Sequence, residues 1–291
     1  MRVQPLQDQD ENRDEGGVTA GVHPAGRGRR PREVMALRRD LGDFGSPAPR
    51  PVRRRAALAL AGPLLRPMTA TFCVDTAERV VSLTYDDGPD PAQTPALLDL
   101  LADRGVHATF FVLADAADAH PDLVRRIVAD GHELALHGAD HTRLSRLPDA
   151  EAVARIADAK RRVEAVAGVP VRLFRPPYGA HTVGALRGWR RLGLDVVIWS
   201  GWATDWDDDT VEAVADRAYA AVHPGGILLL HDTRGDPETL EPGKRLPTFS
   251  RAAVSARLLD ALEAERWTVA TTGALLAGRP RVRAVIRELW T

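Results

Sequence analysis

The chain has 291 residues, of which 44% are hydrophobic, so it is long and apolar enough to bury a substantial core. Its formal net charge of −1 at pH 7 gives no electrostatic reason to expect nucleic acid or a membrane surface as a partner. The single cysteine, Cys73, excludes an intrachain disulfide, so the composition does not indicate an oxidising compartment.

The chain changes character near residue 72. Residues 1–72 are rich in Arg, Pro and Gly and lack sustained periodicity, and such a segment buries too little apolar surface to offset its ordering entropy. We therefore expect a flexible arm over residues 1–72 and a folded domain over residues 73–275. The remaining tail, residues 276–291, could be helical.

One part of the arm, residues 53–65, is similar to an export signal, because three arginines precede a short apolar stretch. It lies far from Met1 and is too short to span a bilayer, so we expect no stable membrane span. Two locations stay open. The lack of an ordinary signal at Met1 favours the cytoplasm, whereas a start closer to residue 53 would favour secretion or the cell envelope.

From about residue 78 onward, short β-rich runs alternate with amphipathic stretches of helical length. The predicted strands are residues 80–85, 108–113, 133–137, 172–175, 196–200, 227–231 and 268–271. The predicted helices are residues 95–104, 123–129, 151–166, 182–192, 211–222 and 250–265. Because strands separated by helix-length connections form parallel sheets, about seven such units predict an α/β barrel.

Reactive side chains lie where these strands end, which is the end of a barrel that carries the chemistry in enzymes. Asp86 and Asp87 follow the first strand, and His137 ends the third. Arg175 ends the fourth strand, Asp205 and Trp206 follow the fifth, and His231 ends the sixth. Five strand ends of this kind are hard to explain by packing, so the sequence predicts an active site at this rim.

Asp87, His137 and His141 are the candidate metal ligands. One carboxylate and two imidazoles form the ligand set of a catalytic site that leaves a position open for water. Zinc fits this set best by ligand type, although cobalt, nickel or manganese could take a similar geometry. A cation there would activate water, and the adjacent Asp86 could act as the general base on it.

Arg175 and His231 each allow two interpretations. Arg175 could pair with Asp86 and keep it ionised, or it could form an ion pair of purely structural or surface character. His231 follows an apolar run, where it is either a core histidine or a proton donor at the barrel mouth; its place on the common rim favours the donor, which would protonate a leaving amine. A metal, a base and an acid together favour hydrolysis of an amide bond.

Four motifs resemble those of the polysaccharide deacetylase (NodB-homology) family, also called carbohydrate esterase family four. Residues 84–89 read T-Y-D-D-G-P where the family has T-F-D-D-G-P, and residues 131–141 contain the G-H-E lead and the histidine pair. Residues 175–178 read R-P-P-Y, and residues 229–231 read L-L-H. The resemblance covers about residues 78–272, in the family's order and spacing.

The resemblance implies a distorted (β/α) barrel that removes an N-acetyl group from an amino sugar. It implies that Asp86 is the base and that Asp87, His137 and His141 bind the metal. It also implies that His231 is the acid, that Arg175 orients the base, and that the backbone N–H of Tyr178 helps to hold the oxyanion.

The fourth motif departs from the family pattern D-x-x-D-W, because residues 202–206 read W-A-T-D-W. The resemblance implies that the missing first Asp pairs with the acid histidine, so the tuning of His231 stays open, with Asp205 or Asp232 as possible substitutes. Trp202, Asp205 and Trp206 are the candidate substrate-binding residues. Trp202 could stack on a pyranose ring or could serve packing alone.

The expected function is a metal-dependent hydrolase that removes N-acetyl groups from N-acetylglucosamine-containing glycans or oligosaccharides, of chitooligosaccharide or peptidoglycan type. One alternative is a deacylase of another substrate, such as an O-acetyl sugar or a cyclic amide. Another is a carbohydrate-binding homologue with impaired turnover. The expected partner is the N-acetylated carbohydrate, and the sequence predicts no oligomeric state. The loop over residues 232–248 has no readable specificity.

Overall fold

The computed structural model describes residues 34–37, 66–233 and 245–285. The export-like segment over residues 53–65, most of the N-terminal arm and most of the loop over residues 232–248 lie outside this range. Among the described residues, no helix is both long and apolar enough to cross a membrane.

Eleven strands and eight α-helices are present in the described residues. The strands are β1 (Val34–Leu37), β2 (Ala70–Val74), β3 (Val80–Asp86), β4 (Thr109–Leu113), β5 (Glu133–Gly138), β6 (Leu173–Phe174), β7 (Asp195–Val196), β8 (Gly201–Trp202), β9 (Gly226–His231), β10 (Thr268–Val269) and β11 (Arg281–Val285). The helices are α1 (Thr94–Asp103), α2 (Ala114–Ala119), α3 (Pro121–Ala129), α4 (Asp149–Ala167), α5 (Val183–Arg191), α6 (Val211–Ala220), α7 (Arg251–Ala264) and α8 (Thr272–Leu276).

A parallel sheet with the strand order β7-β6-β5-β4-β3-β9-β8 forms the centre of the domain, and β10 pairs with the start of β3. Helices cover this sheet, so its central strands are buried on both faces and consist of nearly continuous apolar residues. Every residue of β3 and of β9 is buried. The predicted parallel α/β architecture is therefore confirmed, in the form of a curled, distorted barrel.

One stretch of chain, residues 195–202, which includes the predicted strand over residues 196–200, pairs with both edges of the curled sheet. Its first residues pair with β6 as β7, and its last residues pair with β9 as β8. Between them, the backbone N–H of Ile198 donates to the carbonyl of Thr71 in β2, at 2.8 Å. The stretch therefore leaves one edge of the sheet and joins the other, which brings the ends of β6 and β9 to the same rim.

A second sheet has the strand order β1-β11-β2, in which β11 is antiparallel to β2 and parallel to β1. The possible helix in the C-terminal tail is wrong for residues 281–285, which form β11. Within the arm, residues 34–37 form β1, and β2 begins at residue 70, so these two parts of the predicted arm belong to the sheet.

Candidate active site

The two adjacent aspartates leave the end of β3 toward different partners. Asp86 is the last residue of the strand, where it pairs in register with Phe111 and His231 of the neighbouring strands. Asp87 has a φ of 77°, a left-handed conformation that Asp adopts more readily than most residues. Both side chains are buried. The turn thus separates two carboxylates that are neighbours in sequence.

Asp87 lies against the two predicted histidine ligands. Its Oδ1 is 3.2 Å from Nε2 of His137 and 3.3 Å from Nε2 of His141. One ligand atom from each of the three residues lies within 4.8 Å of the others. The carbonyl of Arg175 contacts Nδ1 of His137 at 2.8 Å, which leaves Nε2 directed at Asp87.

The cluster has the electrostatic properties of a cation site. Neither carboxylate oxygen of Asp87 takes part in a well-formed hydrogen bond to a described residue, although both atoms are buried. Burial by itself would raise the pKa of Asp87, but the imidazoles of His137, His231 and His141 outweigh it and hold that pKa well below its usual range. Burial lowers the pKa of His141 to about 4. An ionised carboxylate and a neutral imidazole are the protonation states that bind metals, so these residues fit a divalent cation.

Arg175 holds Asp86, as the first of its two interpretations predicts. Its Nη1 donates to Oδ1 of Asp86 at 2.6 Å and to Oγ1 of Thr84 at 2.8 Å. Nη2 donates to the carbonyl of Ile198 at 3.1 Å, and the guanidinium lies 4.0 Å from the ring centroid of Phe111. The side chain is fully buried, which excludes a surface ion pair.

His231 faces the cluster from the opposite side, and Asp205 is its partner. Oδ1 of Asp205 is 2.8 Å from Nδ1 of His231, and Oδ2 accepts the backbone N–H of the same histidine at 2.8 Å. Nε2 of His231 is 3.9 Å from Oδ2 of Asp87. Burial would lower the pKa of His231, but the charges of Asp205, Asp87 and Asp86 raise it to about 9. The imidazole is therefore protonated at neutral pH and points its second nitrogen into the site.

These contacts decide between the substitutes considered for the missing motif residue. Asp205, the second Asp of the motif, makes the contact with His231, whereas Oδ2 of Asp232 accepts a hydrogen bond from Thr94 at 2.7 Å. The buried carboxylate of Asp205 is used by His231 and Arg251; that Asp205 also binds substrate stays a prediction.

Trp202 and Trp206, the other two candidate substrate residues, are each half-buried. Trp202 lies in β8 beside Leu229, and the Trp206 ring presents its edge or face to His231 with centroids 5.8 Å apart. Of the two tryptophans, only Trp206 has a ring contact with His231 among the contacts described.

Tyr178 lies in a tight turn over Pro177–Gly179 and has a φ of 60°. Its ring packs against that of His141 with centroids 4.4 Å apart, and the guanidinium of Arg143 lies 4.3 Å from the ring centroid. The turn follows Arg175 directly and so places the backbone of residue 178 at the same rim as the histidine pair.

Sequence reasoning missed Arg251, which contacts Asp205 from 46 residues further along the chain. Arg251 belongs to no local motif. The one available signal is its position as the first residue of the helix that follows the loop after β9. It also missed Thr84, whose hydroxyl accepts a hydrogen bond from Arg175 although the residue opens the first motif.

Comparisons with known proteins agree with this geometry. The sequence profile described as polysaccharide deacetylase matches residues 74–197. Over 183 residues the chain is 39% identical to the chitooligosaccharide deacetylase of Sinorhizobium fredii, which covers 62% of this chain and 85% of that protein. It is 32% identical over 195 residues to a peptidoglycan-N-acetylglucosamine deacetylase of Bacillus cereus, which covers 62% of this chain and 91% of that one.

The comparison of structures indicates the same family as the comparison of sequences. The structure of the peptidoglycan deacetylase PdaC from Bacillus subtilis superimposes with a TM-score of 0.59 and 29% sequence identity, covering 70% of this chain and 93% of that one. The chain therefore belongs to the polysaccharide deacetylase (NodB-homology) family and is a hydrolase of carbon–nitrogen bonds other than peptide bonds.

Proposed function

We propose that this protein is a metal-dependent N-deacetylase of N-acetylglucosamine-containing glycans, of chitooligosaccharide or peptidoglycan type. One observation carries the proposal. The cluster of Asp87, His137 and His141 is flanked by two pairs of a carboxylate and a cationic side chain, Asp86 with Arg175 and Asp205 with His231. The cation is a non-titrating guanidinium in the first pair and a titratable imidazole in the second. The relatives named for chitooligosaccharide and peptidoglycan substrates support the choice of an amino sugar.

Asp87, His137 and His141 would hold the divalent cation, and this donor set favours zinc over cobalt, nickel or manganese. Such a cation, when bound, polarises a substrate carbonyl and lowers the pKa of a bound water. The pairs Asp86–Arg175 and Asp205–His231 would then carry out the proton transfers.

Asp86 is the general base. Arg175 stabilises its ionised form and fixes the Oδ1 atom at 2.6 Å, so the other oxygen is the one that can accept a proton from the attacking water. The water oxygen bonds to the acyl carbon, and the backbone N–H of Tyr178 helps to stabilise the oxyanion.

His231 is the general acid. Asp205 and the other nearby carboxylates favour its protonated form, because in the metal-free protein they raise its pKa to about 9 against the effect of burial. Its Nε2 proton goes to the amide nitrogen as the carbon–nitrogen bond breaks, which yields acetate and the free amino sugar.

The test is acetate release by the full chain, loaded with zinc, from N-acetylchitooligosaccharides and from peptidoglycan fragments. Asp87→Ala should lose both bound metal and turnover. Asp86→Asn should keep the metal and lose turnover, because only the base is removed. Metal-loaded protein that releases no acetate from any N- or O-acetylated glycan would refute the proposal, and sugar binding without turnover would show a carbohydrate-binding homologue instead.

A further inference from the structure

A buried arginine outside the family motifs contacts the proton-donating side of the site. Arg251 is the first residue of α7, and only 3% of its side chain is exposed. Its Nη1 donates to the backbone carbonyl of Asp205 at 2.6 Å and to Oδ2 of the same residue at 3.1 Å. Because a buried guanidinium is costly unless it is well paired, this position requires specific contacts.

The guanidinium is fixed in place by its surroundings. It lies 4.6 Å from the ring centroid of Phe249, and the backbone N–H of Arg251 donates to Oε1 of Gln93 at 3.1 Å. Gln93 precedes α1, in the segment that follows Asp86 and Asp87. The start of α7 is therefore linked at Arg251 both to the segment that follows the first motif and to the segment that carries Asp205.

The backbone around Asp205 needs such support. Thr204 has a φ of 50°, a left-handed conformation that is unfavourable for a β-branched residue. The carbonyls on either side of it are both held by arginines. Nε of Arg217 donates to Ala203 at 3.0 Å, and Arg251 donates to Asp205.

The Asp205 carboxylate, like the backbone around it, is held by several hydrogen bonds. Oδ1 faces the ring of His231, and Oδ2 accepts from the His231 backbone and from Arg251. Among the described residues, the donors left on this carboxylate without Arg251 would all come from His231, and the Asp205 carbonyl would lose its bond to the guanidinium.

We propose that Arg251 is a positioning residue for the proton donor: by holding Asp205 at both its carbonyl and its carboxylate, it fixes the orientation in which Asp205 aligns His231. This inference rests on the proposed function, because His231 is the acid only if the chain hydrolyses an amide. Arg251 acts through Asp205 and does not contact the substrate.

The first test separates kcat from KM. Arg251→Met removes both donated hydrogen bonds at similar volume, and we expect kcat to fall roughly tenfold to a hundredfold while KM stays within about twofold. Arg251→Lys keeps a charge but not the planar fork, so its kcat should lie between that of Arg251→Met and the wild type. The matched control is Arg257→Met, on the same helix, because Arg257 is exposed and paired only with the surface residue Glu212 in the contacts described.

A double-mutant cycle shows whether the effect passes through Asp205. In an Asp205→Asn background, Arg251→Met should lower kcat by no more than about twofold, because the imidazolium partner is already lost. Two independent losses that multiply would overturn the inference, as would an Arg251→Met protein with wild-type kcat or with a change confined to KM.

A second readout does not need activity. The His231 proton bonded to Asp205 should give a downfield ¹H NMR signal that shifts or broadens in Arg251→Met and stays in place in Arg257→Met. If the wild-type protein had no turnover, the proposed function would be wrong. A shift of this NMR signal in Arg251→Met would still support the positioning role of Arg251. An unchanged NMR signal in Arg251→Met would overturn the positioning role. If Arg251→Met does not fold, Arg251→Lys is used for both the kinetic and the NMR measurements.

Discussion

Replacing Asp205 by Asn should make the enzyme selectively weak at alkaline pH. Asp205 is the first carboxylate among the groups that raise the pKa of His231 from 6.5 to about 9 against burial. A rise of this size corresponds to roughly 3 kcal/mol of preference for the imidazolium form. In Asp205→Asn the charge is lost but the shape is kept, so burial dominates and the pKa of His231 should fall to about 6.5 or below.

The size of the defect follows from the fraction of protonated His231. At pH 8 a histidine with a pKa of about 9 is mostly protonated, whereas one with a pKa of about 6.5 is protonated to only about 3%, so acid catalysis should be about 30-fold weaker in the variant. At pH 6 both proteins are largely protonated, and the same effect should be less than about twofold. These fractions apply to pKa values of about 9 and about 6.5. A cation bound at Asp87 would move both profiles to lower pH by a similar amount, so the separation between the two profiles is the quantity to compare.

The assay is kcat/KM for acetate release between pH 5.5 and 9.5, in the wild type and in Asp205→Asn. The matched control is Asp122→Asn, since Asp122 is exposed and pairs with the exposed Arg125 at 2.6 Å. Parallel profiles with the same alkaline limit would show that Asp205 does not set the protonation of His231. A defect that is equal at every pH would assign Asp205 to orientation alone.

Three further outcomes are expected. Arg175→Lys should lower kcat about a hundredfold and the free energy of unfolding by roughly 2–4 kcal/mol, because one ammonium cannot bond both to Asp86 and to the carbonyls that the buried guanidinium reaches. Enzyme kinetics and chemical denaturation test this, and near-normal values would contradict it. Gly88→Ala should destabilise the fold by about 1–3 kcal/mol, since its new methyl would overlap the carboxylate of Asp232, and an unchanged melting temperature would count against this contact. In the metal-free protein, the stabilisation from protonated His231 should be complete below about pH 6.5 and lost as pH rises through about 9, because its pKa is raised on folding. The wild type should therefore lose stability relative to His231→Gln across that window, and a constant difference would refute the assignment.

Much of this site could be predicted because its parts are local in sequence. Buried parallel strands are continuous apolar runs, and the residue that ends each run lies at one common rim. Asp86, His137, Arg175 and His231 all follow or end such runs, so strand assignment alone brought them together. The candidate set of metal ligands needed, in addition, only the spacing between His137 and His141.

What could not be predicted depends on backbone conformation and on distant contacts. The sequence predicts one strand over residues 196–200, but the chain pairs with β6 at residues 195–196 and with β9 at residues 201–202, which only the curled sheet imposes. The role of Asp205 depends on the left-handed turn at Thr204 and on Arg251, and neither has a local sequence signal. The second sheet joins β2 to β11 across some two hundred residues, beyond the reach of any periodicity argument.

In the proposed mechanism, the two pairs that flank Asp87 show how one kind of interaction gives both a base and an acid. Each is a buried carboxylate bonded to a cation at close range, 2.6 Å for Asp86 with Arg175 and 2.8 Å for Asp205 with His231. Arg175 cannot release its proton at any working pH, so Asp86 is the only member of its pair that can exchange one, and it can only accept. In the other pair, Asp205 has its pKa lowered by His231 and Arg251 in spite of burial, so the exchangeable proton stays on the imidazole, which can only donate. In the proposed mechanism, the direction of proton transfer across the site therefore follows from the cation to which each carboxylate is bonded. Arg175→His, which places a titratable group beside Asp86, should weaken the base and leave the acid unchanged.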